Sequence, residues 1–97
     1  MKPEAVFIEE VYAELGRARA KFPQREGVWV TLAALTEEVG ELNQAVMQYN
    51  REPAKGVTTA DIRKEASQVV VMAIRVLFDC NVKPTRRRPQ IDTYSEG

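Results

Sequence analysis

The chain has 97 residues, 44% hydrophobic and 29% charged, the balance of one ordinary globular domain rather than a disordered segment. Fourteen basic and fourteen acidic residues give zero net charge, so nothing draws the chain as a whole to nucleic acid or to an acidic membrane. It contains no histidine, which removes Ser-His and Cys-His catalysis and the common zinc sites and leaves carboxylates with a hard metal to do any chemistry.

The N-terminus, MKPEAVFIEE, brings in acids at once and lacks the apolar stretch of a signal peptide. Residues 4–21 predict a first helix. Ile8, Val11, Leu15, Ala18 and Phe22 recur at spacings of three and four. Pro23 ends it, and PQREG (23–27) is a connector. The second helix runs from about Val28 to Tyr49. Val28, Leu32, Leu35, Val39, Leu42, Val46 and Tyr49 form an unbroken heptad-like seam. Tyr12 and Tyr49 fall on apolar seams and are expected in the core. NREPAKGV (50–57) reads as a turn.

Thr58 or Thr59 can cap a third helix that extends to about Asp79, with Asp61 suited to its first turn. Ile62, Ala66, Val69, Ala73 and Val76 form one seam, while Val70, Val71, Ile74, Leu77 and Phe78 make the other faces apolar too. A helix apolar nearly all round is buried on most sides. Three helices cannot easily cover it, so an oligomer is expected, most simply a two-fold dimer. Its longest apolar run, VVVMAI (69–74), is far short of a membrane span. Cys80, the only cysteine, excludes an internal disulfide, and the expected location is cytoplasmic. At a helix end it reads as an inert small residue. The expected fold is an all-α antiparallel helix bundle, three main helices per chain completed by oligomerisation. Residues 1–83 form the helical domain, and 84–97 form a polar tail containing TRRRP (85–89).

Inside the second helix, TEEVGELNQAV (36–46) sets three glutamates beside the seam. At about 100° per residue, Glu38 and Glu41 share a stripe with Thr31, Ala34, Ala45 and Gln48, roughly 100° around from the seam. The small residues leave room beside the acids, while Glu37 points closer to solvent. The third helix carries a matching stripe of Asp61, Glu65, Gln68 and Met72. The midpoints of the pairs Glu38/Glu41 and Glu65/Gln68 average to about position 53, Pro53, in the middle of the turn. An antiparallel hairpin with ~8–10 Å between axes therefore brings both pairs to the same height. Three carboxylates and an amide oxygen converge. That is costly unless a divalent cation offsets it, and all-oxygen ligands suit magnesium or manganese.

With these residues the sequence resembles the all-α nucleotide pyrophosphohydrolases of the MazG-like superfamily, over roughly residues 5–79. Their Glu-Glu-x-x-Glu motif is matched by EEVGE (37–41). Their Glu-x-x-Asp is met by EASQ (65–68), with 23 residues between Glu41 and Glu65. Gln68 stands where the family has an acid. It can still offer a carbonyl oxygen but removes a charge, and Asp61 is a candidate substitute. The resemblance implies a helical dimer or tetramer that uses magnesium to hydrolyse nucleoside triphosphates to monophosphate and pyrophosphate, a nucleotide-pool housekeeping role. It implies metal ligation by Glu38, Glu41 and Glu65 with Gln68 as a further oxygen donor. Glu37 becomes an outer-shell partner or a helper in water activation.

In this scheme a water attacks the α-phosphorus, and Glu37 or Glu41 accepts its proton. Lys21 is the first candidate to meet the phosphates, before Arg25 and Arg75. Trp29 is a candidate base-stacking residue or, alternatively, a core or interface residue. Two other functions compete. One is a non-catalytic MazG-like module, weakened at Gln68, that binds nucleotide or a partner protein. The other is a nucleic-acid regulator using the arginine tail, the weakest reading at neutral charge and without interleaved aromatics.

Overall fold

A computed structural model describes residues 2–23 and 27–80. Within them the protein is all-helical: α1 (Pro3–Lys21), α2 (Val28–Arg51) and α3 (Thr59–Phe78), with one 3₁₀ turn at Pro53–Lys55. No described residue is in a strand. Among the described residues no helix is long and apolar enough to cross a membrane. Arg25 and the tail, including TRRRP, lie outside the described residues.

Each helix boundary has a local cause. α1 starts at Pro3, where a missing N–H costs nothing and the fixed φ suits a first turn. Glu4 near its N-terminus and Arg19 and Lys21 in its last turn complement the helix dipole. Phe22 N–H closes on the Ala18 carbonyl at 2.8 Å, and Pro23 forbids a further turn. The α2–α3 connection is tight because Gly56 takes the left-handed conformation, φ 72°, which a side chain would resist. Thr58 then caps α3 in a full capping box. Its side-chain oxygen accepts from Asp61 N–H at 3.2 Å, and Thr58 N–H donates to the Asp61 carboxylate at 2.8 Å.

α3 is the central helix, packed on both α1 and α2. Cys80, just past the end of α3, sits against Thr31 at the start of α2, Sγ to Oγ1 3.2 Å, while the Pro53 turn joins the opposite ends. The α2–α3 pair is therefore antiparallel along its length. α1 runs parallel to α3, since Glu10 meets Arg63, Glu14 meets Gln68 and Arg19 meets Asp79. The apolar core lies between α1 and α3: Val11, Leu15 and Val71 are buried, with Phe7, Ala18, Val70 and Ile74 packed against them. The α2–α3 interface is built from smaller side chains, and Thr31, Ala45 and Ser67 are buried. Small residues let the two axes approach closely, which a Leu or Val seam does not.

That choice overturns one expectation. The stripe of α2 that carries the acids and the small residues faces α3. The seam of large apolar residues turns partly outward: Leu32, Val39, Val46 and Tyr49 are exposed, while Val28, Leu35 and Leu42 are half-buried. Tyr12 is exposed as well, so neither tyrosine belongs to the core of this chain. Periodicity reports which residues share a face, but the short turn decides which face meets α3.

Candidate metal centre and adjoining cavity

The hairpin delivers the acids to one point. Glu38 and Glu41 are one turn apart on α2, and Glu65 projects from α3. Carboxylate oxygens of all three lie within 4.8 Å of one another. Glu38 and Glu65 are half-buried and Glu41 is exposed. Among the described residues no lysine or arginine forms an ion pair with any of the three. Burial pushes the Glu38 carboxyl above its ordinary range. The charges of Glu41 and Glu65, a hydrogen bond with Glu41 and the more distant Glu37 add to that shift. A hard, all-carboxylate donor set whose ionised form is disfavoured by its own members suits a magnesium or manganese ion.

The raised Glu38 value has a testable sign. The folded chain holds this proton more firmly than the unfolded chain, whose value is near 4.5. The contribution of Glu38 to stability is thus fully present below pH 4.5 and is lost as pH rises through the folded value. In chelator-treated protein, Glu38→Gln is expected to raise the melting midpoint at neutral pH. The gain should shrink towards nothing as pH falls to the unfolded value. Circular-dichroism melts from acid to neutral pH read this directly; an equal gain at every pH would rule out charge crowding as its source.

A cavity of about 510 Å³ opens beside the cluster. Glu38 and Ala34 line it from α2, Gln68 and Met72 from α3, and Arg17 and Lys21 from α1. Lys21 therefore faces the same space as Glu38, its ammonium also lying 5.6 Å from the centre of the Phe22 ring. Ala34 contributes space because a methyl group stands where a longer side chain would fill the volume.

The remaining candidates are placed differently. Glu37 is exposed and outside the close cluster. Trp29 is 79% exposed on the first turn of α2 and does not line the cavity, so one chain does not bring it to the acids. Arg75 does border the cavity, but it is buried and its guanidinium is committed: Nε donates to Asp79 at 2.7 Å and Nη2 donates to the Phe22 carbonyl. Asp61 is used by the α3 cap and lies outside the carboxylate cluster. Gln68 reaches instead to α1, donating Nε2–H to Glu14 at 3.1 Å. Glu14 and Arg17 are the site neighbours that sequence reasoning passed over. The i, i+3 spacing of an acid and an arginine was visible, but nothing in it marked the register of α1 against α3.

No known protein family, curated protein or solved structure compared with this chain gives a match.

Proposed function

We propose that the chain is a magnesium- or manganese-dependent nucleoside triphosphate pyrophosphohydrolase of MazG-like type, acting on ribo- or deoxyribonucleotides inside the cell. The observation that supports this best is the approach of Glu38, Glu41 and Glu65 to within 4.8 Å at the edge of a cavity that Lys21 also lines. Glu38, Glu41 and Glu65 would hold the cation, with the Gln68 carbonyl as a further donor. When bound, the cation supplies charge neutralisation at the phosphates and a lowered pKa for a nearby water.

The protein's own groups then have distinct tasks. Lys21 meets phosphate oxygens from the opposite wall of the cavity. A water attacks the α-phosphorus, the bridging P–O bond to the β-phosphate breaks, and pyrophosphate leaves. Glu41 or Glu37 takes the water's proton. The outward seam of α2, with Leu32, Val39 and Val46 exposed, favours a homodimer or homotetramer in which a second copy covers it and in which Trp29 can meet a neighbouring chain.

Gln68 favours a second reading, a non-catalytic module that binds nucleotide, because it leaves three carboxylates where the family pattern has four. Pyrophosphate release separates the two. A panel of ribo- and deoxyribonucleoside triphosphates is incubated with the protein and magnesium or manganese. Metal-dependent release from at least one nucleotide is the expected result. Folded protein that releases none with either metal sinks the enzyme and leaves the module.

A further inference from the structure

Gln68 is the weak point of the candidate cation site, and the structure gives it a specific support. Its amide nitrogen donates to Glu14 Oε2 at 3.1 Å. The other oxygen of Glu14 accepts two hydrogen bonds from Arg17, from Nε at 3.0 Å and Nη2 at 2.6 Å. Three side chains thus form a chain of contacts: guanidinium, carboxylate, carboxamide. Arg17 fixes the carboxylate, and the carboxylate fixes the amide.

A carboxamide has two faces of opposite character. An ionised carboxylate accepts only, so it selects the NH₂ end of Gln68 and repels the oxygen end. Arg17 and Gln68 donate to different oxygens of the Glu14 carboxylate, so each oxygen has its own donor. The two branches of the carboxamide diverge by about 120° at the shared sp² carbon, so fixing Nε2 on Glu14 turns Oε1 away from α1. Gln68 stands one turn beyond Glu65 on the same face of α3 and lines the cavity together with Glu38. An unrestrained glutamine could present either end to that space.

We infer that Glu14, steadied by Arg17, is a positioning residue that turns the Gln68 carbonyl oxygen towards the cation site. The inference rests on the cation-site reading above and adds a residue to it. It makes the glutamine a defined neutral oxygen donor in place of an acid. It also accounts for an acid on α1 at this level, where Glu14 joins two helices through a side chain with no direct place among the three converging carboxylates.

The test is manganese binding, measured by calorimetry on wild type, Glu14→Ala, Glu10→Ala, Gln68→Ala and the Glu14→Ala/Gln68→Ala double variant. A melting curve for each confirms that it is folded. Glu14→Ala and Gln68→Ala are each expected to weaken binding by about tenfold, the lower end of the range for outer-shell partners. The double variant should bind no more weakly than the weaker single one, because both act through the same oxygen. Glu10→Ala removes an α1 carboxylate that pairs with Arg63 and not with Gln68, so it should bind manganese close to the wild-type value.

Wild-type affinity in Glu14→Ala overturns the inference. So does a Glu10→Ala loss as large as that of Glu14→Ala, which would mark bulk charge as the cause. Additive losses in the double variant also overturn it. If wild type itself takes up no manganese, the cation-site reading falls first and this inference with it.

Discussion

Glu38→Ala is expected to reduce metal-dependent pyrophosphate release by at least ~100-fold, beyond the range that outer-shell partners of a metal usually command. Glu38 is the single residue that both belongs to the carboxylate cluster and lines the cavity. On the proposed function, its removal would take away a cation donor and the junction between cation and substrate together. The fold should survive, because Glu38 makes no ion pair with another helix and its carboxylate is crowded rather than satisfied. Glu37→Ala is the informative companion. Glu37 is exposed and outside the cluster, so a proton-accepting or outer role predicts a smaller loss. Steady-state release assays with saturating manganese, beside melting curves, check both. Activity in Glu38→Ala near that of wild type would remove the cluster from the chemistry.

The largest stability effect belongs to Arg75. Its side chain is 2% exposed, and its partner Asp79 is 8% exposed. Asp79 is held from both sides, by Arg75 Nε at 2.7 Å and by Arg19 through Nη2 at 2.7 Å and Nε at 3.0 Å. Arg19, and then Arg75, keeps the Asp79 carboxyl below its ordinary range. Arg75 also donates to the Phe22 carbonyl, which ties the last turn of α1 to α3. Arg75→Ala leaves a buried carboxylate half-compensated and a carbonyl unsatisfied, a loss of roughly 3–5 kcal/mol by analogy with broken buried pairs. In a domain of this size that is a drop of roughly 10 °C or more in melting midpoint, readable by circular dichroism. The stability that Asp79 gains from its lowered value is present above pH 3.8 and lost as pH falls through the folded value. Arg75→Ala should therefore be less sensitive to acid as well as less stable. A midpoint within a few degrees of wild type would show that the pair contributes little.

What the sequence made legible follows from distance along the chain. The three helices are written in spacings of three and four, and the cap of α3 at Thr58 with Asp61 is local chemistry. The meeting of Glu38 and Glu41 with Glu65 was also within reach, because a short turn fixes the register of an antiparallel pair and averaging positions finds the level of contact. The placement of α1 was not. Its contacts with α3 join residues 53 to 60 positions apart, through pairs such as Glu10 with Arg63 and Arg19 with Asp79. Charged pairs of that kind leave no periodic trace. For the same reason the Glu14 partner of Gln68 was out of reach, and the stripe of α3 itself offered only Asp61 as a further acid. The outward turn of the α2 seam was hidden differently: hydrophobic periodicity says that a face will be covered and is silent on whether the cover comes from the same chain.

The division of contacts around α3 also sets an order of events. The α2–α3 hairpin closes through a short turn and forms early, at small loop-closure cost. α1 can dock only afterwards, across a much longer loop. Glu38, Glu41 and Glu65 all belong to the hairpin, whereas Glu14, Arg17 and Lys21 arrive with α1. An excursion that releases α1 alone would unroof the cavity and free Gln68, yet leave the three carboxylates in register. Amide exchange would report it as a first helix that opens at lower free energy than the other two. That result would make the three-carboxylate hairpin and the wall that faces it separate cooperative units, with access to the cavity governed by the looser one.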